Sequence, residues 1–340
     1  MTPNQGHFFC PFLFAIFVID LKSFRLLFFI SASLFLGVLV MSSFRHTPES
    51  EHLTKVELGQ QLFFDKGLSL DSSVSCASCH IPEFAFSDTV AFSTGFQGRK
   101  GLRNAPSVMN MKFRDLMFFD GRAKDLRDQV HFPVSDPNEM NLSYDMAIQR
   151  IAANPVYAKA IMQLYQSLPN ATNVADAIAS FEETLESSET PFDRFMSGDE
   201  NAISESAKRG RELFLGDKAK CFDCHFGPDF TGDEFRNIGL YNGLEDKDAG
   251  RFSVTKDSAD LGKFKVPGLR NIGVTGPYMH DGRFKTIEAV IAYYNNPSAF
   301  VKQAVNVDPL LAQPLNLSKQ EQEDLKNFLL TLTDNRFINR

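Results

Sequence analysis

Cys76-Ala77-Ser78-Cys79-His80 and Cys221-Phe222-Asp223-Cys224-His225 decide how this 340-residue chain is read. Each places two thiols three positions apart, with an imidazole directly after the second. The spacing suits covalent attachment of a haem: the thiols add to its two vinyl groups, and the histidine lies under the iron as proximal ligand. The two motifs use four of the five cysteines and leave only Cys10. A structural zinc site would want the two pairs close together, and a dithiol redox centre would not need a histidine after each. Recurrence in equivalent places argues against coincidence. Cys76, Cys79, Cys221 and Cys224 are therefore assigned to two covalently bound haems c, with His80 and His225 as iron ligands.

Outward from these motifs, the chain repeats itself. Gly59-Gln60-Gln61-Leu62-Phe63 precedes the first motif and Gly210-Arg211-Glu212-Leu213-Phe214 the second. Pro106 to Asn110 matches Pro267 to Asn271, and ten residues after each asparagine stands Asp-Gly-Arg, at 120–122 and 281–283. The regular segments read as helices. Val174, Ala177, Ile178, Phe181 and Leu185 make an apolar stripe with Asn173 as its N-cap, and Leu325, Phe328, Leu329 and Leu332 make another behind the capping box Ser318–Glu321. No run of alternating strands is evident. The expected class is mainly α, with two domains in tandem and long loops wrapped around the haems. The expected limits are 45–195 for the first domain and 196–340 for the second, whose C-terminal helix is expected to pack back on the first.

Composition sets further limits. With 35 basic and 42 acidic residues the formal charge is −7, which argues against a nucleic-acid partner. Residues 1–44 hold only Asp20, Lys22 and Arg25 as charges, and Leu26 to Met41 is uncharged. That is the pattern of a signal peptide or N-terminal anchor, and it places the remainder in the periplasm or otherwise outside the cytoplasm. Covalent haem attachment on the far side of a membrane agrees with export.

From about residue 55 to 335 the chain is similar to the bacterial di-haem cytochrome c peroxidases and their MauG-type relatives. The similarity rests on the two CxxCH motifs, Arg103-Asn104-Ala105-Pro106, Phe119-Asp120-Gly121-Arg122, Glu139-Met140, and the run from Phe264 through Pro277-Tyr278-Met279-His280-Asp281-Gly282-Arg283. The resemblance implies tandem cytochrome c-like domains. It implies that the first haem reacts with hydrogen peroxide, and that the second passes on electrons from a small electron-transfer protein, a cytochrome c or a cupredoxin-like donor. It makes Glu139 the acid–base group above the first iron, with Gln129 orienting oxidant or water. Arg122 and Arg283 would pair with haem propionates. A calcium ion would lie between the domains on Asn104, Thr275 and Pro277.

The sequence departs from the peroxidase pattern in three places. Phe96 stands where many relatives carry a removable histidine, so the first haem is expected to stay open. Tyr294 stands where the peroxidases have a methionine ligand and MauG-type proteins a tyrosine. It is the candidate sixth ligand of the second haem, with packing beside Tyr293 or Met279 as the alternative. Phe119 replaces the tryptophan between the haems. His280 is expected at a haem edge and His131 as a packed or surface residue. Three readings follow: a peroxidase reducing hydrogen peroxide to water, a MauG-type oxidase using a ferryl state on a protein or small molecule, and a non-catalytic electron carrier. The sequence leaves a homodimer open.

Overall fold

Short helices separated by long loops make up the described residues, and most of the helices start where a side chain satisfies one of the first amide groups. The computed structural model describes residues 53–338, so the leader expected over 1–44 lies outside the described residues. Helix α1 (Lys55–Phe64) opens with a reciprocal capping box between Thr54 and Glu57. Then come α2 (Leu126–Gln129), α3 (His131–Ser135), α4 (Tyr144–Ala153), α5 (Pro155–Tyr165) and α6 (Ala171–Glu182). The second half carries α7 (Pro191–Met196), α8 (Glu205–Leu215), α9 (Phe252–Thr255), α10 (Ile287–Asn295), α11 (Pro297–Phe300), α12 (Lys319–Leu330) and α13 (Asn335–Ile338). The mainly helical class is as expected. A two-residue antiparallel ladder, β1 (Phe235–Arg236) on β2 (Phe264–Lys265), is too short to show alternation in sequence.

Two helix pairs repeat the same packing. Gly59 of α1 lies so close to α6 that a Cβ there would sit 1.9 Å from the Ala177 carbonyl oxygen and 3.0 Å from Phe181 Cβ. Gly210 of α8 meets α12 in the same way: 1.9 Å from the Asp324 carbonyl oxygen and 2.8 Å from Phe328 Cβ. Only glycine lets the two backbones approach this far. Around the first crossing Leu58, Leu62, Phe63, Val174, Ile178 and Phe181 form a buried core. Around the second, Phe214, Leu325, Phe328, Leu329 and Leu332 do so. Each such side chain contributes on the order of 2 kcal/mol by leaving water.

Three expectations shift. The cap of α6 is Asn170, not Asn173: Asn170 Oδ1 accepts from the Thr172 and Asn173 amides, and Asn173 Oδ1 accepts from the Asn170 amide. The reciprocal pair lets the helix begin almost a turn earlier. Leu185 falls beyond the helix end and packs with Ala85, Met109 and Phe337. Finally, α12 stays in its own half against α8 and α10. It is the last turn, α13, that returns to the first half, through Phe337.

Candidate functional site

The two CxxCH turns are built alike. In each, the second cysteine and the histidine donate backbone N–H groups to the carbonyl of the first cysteine. The His80 ring then places Nδ1 3.1 Å from the Phe86 carbonyl oxygen, and His225 places Nδ1 3.0 Å from that of Phe230. A carbonyl can only accept, so Nδ1 carries the hydrogen and Nε2 keeps its lone pair. Burial holds both imidazoles below the ordinary histidine range, hence neutral and ready to ligate. An anchored second nitrogen is the usual support for a metal-binding histidine.

The cysteines fit the same use. Cys76, Cys79, Cys221 and Cys224 are free thiols. Burial pushes Cys79 up to about 11 and Cys221 to about 12. A redox dithiol wants a stabilised thiolate, and these sites withhold that stabilisation. Cys76 and Cys221 pack against different cores. Among the described residues, the group of His, Cys, Asp and Glu close enough to share an ion is Asp246, His280 and Asp281, which contains no cysteine. The geometry therefore disfavours a zinc site. A large cavity bounded by both halves is lined, around the second motif, by Cys221, Cys224, His225, Met279, His280 and Tyr294. The residues present fit a covalent haem.

Glu139 sits in a different cavity, of about 430 Å³, with Arg122, Asp128, His131, Phe132, Ser135 and Asp136. A water molecule's share is ~30 Å³, so the cavity has room for several small molecules. Burial, helped by the Asp136 carboxylate and opposed by the Arg122 guanidinium, pushes Glu139 up to about 7. Its charge reaches the Cys76 and Cys79 thiols, which places it beside the first motif. Its backbone is fastened from outside: the Phe96 N–H donates to the Glu139 carbonyl at 2.7 Å, and Gly95 packs so tightly that a Cβ would lie 2.1 Å from the Asn138 oxygen. Phe96 itself is buried.

His131, expected as a packed or surface residue, does stack edge-on against Tyr144, with ring centroids 4.2 Å apart, but it also lines this cavity. The lining positions 128, 131, 132 and 135 recur at helical spacing along α2 and α3, with 136 and 139 just past the end of α3, a local pattern that the sequence carries. Gln129 is half-buried at the end of α2 and is not among the residues lining the cavity.

Both Asp-Gly-Arg arginines bend back on their own aspartates. Arg122 Nη1 lies 3.0 Å from Asp120 Oδ1, with its guanidinium 3.5 Å from the Phe118 ring centroid. Arg283 bonds Asp281 at 2.6 Å and Asp246 at 2.8 Å. His280 is buried, stacked at 3.7 Å on Phe264, with Nε2 3.4 Å from Asp246. Asn104, Thr275 and Pro277 line the same large cavity as Phe119 and Tyr294. Asn104 donates its side-chain amide to the Val90 carbonyl at 3.1 Å, leaving the side-chain oxygen as acceptor.

Residues 53–201 match the family model described as di-haem cytochrome c peroxidase. The methylamine utilization protein MauG of Methylorubrum extorquens is 40% identical over 294 residues, covering 84% of this chain and 80% of that protein. The cytochrome c551 peroxidase of Nitrosomonas europaea is 36% identical over 290 residues, covering 84% and 81%. A crystal structure of a MauG-like protein associated with microbial copper homeostasis superposes with a TM-score of 0.75 at 32% identity, over 85% of this chain and 93% of that one. Twin CxxCH turns, a half-buried carboxyl beside the first of them, and relatives alike over most of their length make this chain a member of the di-haem cytochrome c peroxidase family.

Proposed function

We propose that the protein reduces hydrogen peroxide to water with electrons from a small electron-transfer protein, a cytochrome c or a cupredoxin-like donor. The observation that carries this is Glu139, a half-buried carboxyl whose pKa is pushed up to about 7, lining a cavity next to the Cys76–His80 turn. In this reading the halves are two cytochrome c-like domains. The first haem is held by Cys76, Cys79 and His80, the second by Cys221, Cys224 and His225, with Tyr294 as its sixth ligand. Bound haem iron supplies the site at which peroxide oxygen is held and the redox capacity to cleave the O–O bond. The protein's part is proton handling. Glu139 takes a proton from the near oxygen and returns it to the leaving one, as base and then acid. Arg122 keeps positive charge beside the carboxylate while it is ionised. Two electrons and two further protons complete two water molecules. Support for a calcium ion at Asn104, Thr275 and Pro277 is their shared cavity and their oxygen donors. The leader pattern and covalent haem favour a place outside the cytoplasm.

A second reading, a MauG-type oxidase acting on a protein or small molecule, is favoured by Tyr294 in the second cavity and by Phe96 beside Glu139. The two are separated by mixing the matured protein with peroxide and reduced cytochrome c. Rapid oxidation of the donor is the expected result; a peroxide reaction without donor oxidation turns the assignment to the oxidase. The Glu139 base must be ionised to accept a proton, so kcat/KM for peroxide should rise with pH through about 7. Glu139→Gln should lower it about 10²–10⁴-fold and flatten the profile; unchanged turnover removes Glu139 from the chemistry.

A further inference from the structure

The two helix crossings allow the halves to be compared position by position. Gly59 meets Ala177 and Phe181 as Gly210 meets Asp324 and Phe328. Counting one residue on from each phenylalanine pairs Glu182 with Leu329, just as Ile178 pairs with Leu325. Leu325 and Leu329 both line the cavity that holds Cys221, Cys224 and His225. By the same register, Glu182 takes the corresponding position in the first half, and its charge acts on the Cys76 thiol. Glu182 is only 4% exposed, and its Oε2 atom is buried with no hydrogen-bond partner. One half thus has leucine and the other a buried carboxyl with one oxygen unpartnered at the same position of the helix.

We propose that Glu182 is an acid–base residue of the first haem site, which takes up a proton when an electron enters that site and releases it when the electron leaves. This rests on the reading above that Cys76, Cys79 and His80 hold a haem. The step balances simply: the donor protein supplies one electron, solvent supplies one proton to the Glu182 carboxylate, and re-oxidation returns both. Leu329 has no ionisable group, so the second site has no counterpart.

The surroundings favour this role. Burial pushes Glu182 up to about 8, helped by its neighbour Glu183. The C-terminal end of a helix also disfavours an anion. The cations on packed elements are engaged elsewhere. Lys55 of α1 is 2.7 Å from Asp176, and Arg127 of α2 binds Asp176 at 2.8 Å and Glu183 at 2.9 Å. From the Cys76 turn comes a thiol that becomes an uncharged thioether, and from α4 the Tyr144 hydroxyl, itself buried without a partner. An extra electron in this dry wall is therefore offset most readily by protonating Glu182.

The test is a spectroelectrochemical titration of each haem between pH 6 and 9 on the matured holoprotein, after its mass confirms two attached haems. One proton per electron shifts the equilibrium tenfold per pH unit, about 59 mV. In the wild type the first haem should show this slope in the alkaline part of the range, with the second haem nearly flat. Glu182→Gln and Glu182→Leu should lose the slope above about pH 8, Glu182→Asp should retain part of it, and Glu139→Gln should alter the profile around pH 7 while keeping that alkaline slope. A redox-difference infrared spectrum should show a carboxylic-acid band, shifted in D2O, that Glu182→Gln removes and Glu139→Gln leaves. A slope and band unchanged in both Glu182→Gln and Glu182→Leu overturn the proposal. If the slope behaves as expected but peroxide fails to oxidise a donor, the peroxidase reading falls and the role of Glu182 stands.

Discussion

Tyr293 and Tyr294 are neighbours on α10 with different tasks. The Tyr293 hydroxyl donates to the Ile238 carbonyl at 2.6 Å and its ring is fully buried. Tyr294 faces the cavity of Cys221, Cys224 and His225, and burial raises its hydroxyl above the ordinary tyrosine range. A bound ferric ion would reverse that preference, since a cation stabilises the phenolate. Tyr294→Phe should therefore change the absorption of the second haem, whereas Tyr293→Phe should cost about 1 kcal/mol of stability and leave the spectrum alone. An unaltered spectrum in Tyr294→Phe takes tyrosine out of the coordination sphere. Both histidine ligands were legible from their motifs because the chemistry demands adjacency in the chain. Glu139 was not: its pKa comes from burial and from Asp136 and Arg122, and only a family spacing singled it out. His131 reads in sequence as a packed or surface residue; it packs on Tyr144, and its place on the wall of the cavity appears only in the fold.

At the scale of elements, the glycine crossings carry the architecture. A methyl group at Gly59 would have to displace the Ala177 carbonyl, which belongs to rigid helix backbone. Gly59→Ala and Gly210→Ala should each lower stability by about 1–3 kcal/mol or more, read as a fall in Tm or in denaturation midpoint. Two normal midpoints would mean that the helices separate easily. The repeated Gly-x-x-Leu-Phe strings announced these crossings, since both sides of the duplication kept the residue that the contact requires. The cap of α6 was misplaced for a local reason. Asn170 and Asn173 can each serve as N-cap, and only the reciprocal hydrogen bonds decide between them. The short ladder of β1 and β2 lies below the length at which periodicity carries information.

Across the whole molecule, charged side chains join the halves. Arg103 reaches Asp120 at 2.7 Å and holds Asp248 through two bonds of 2.7 and 2.8 Å. Arg251 donates to the carbonyls of Asp120 and Gly121. Arg114 binds Asp229 and Asp233. None of this could be read in sequence, because each pair spans more than a hundred residues, apart from Arg103 with Asp120. The Arg103 bonds, largest among the charge effects, hold Asp248 below the usual carboxylate range against its burial. Stability from a depressed carboxyl is present above its unfolded pKa and is lost as pH falls through the folded one. Arg103→Ala should destabilise by about 3 kcal/mol at neutral pH, by leaving the half-buried Asp248 without its cation and the buried Asp120 with Arg122 alone. The difference from wild type should shrink below about pH 4. Equal denaturation curves at pH 7 would show that the pairs contribute little.

The loop at Gly95 and Phe96 is stitched to the very peptide that bears Glu139. Loop and peptide are thus fastened together backbone to backbone. If the first motif holds a haem, the oxidised protein should react with peroxide as isolated; a reaction that starts only after reduction would show that this loop comes away.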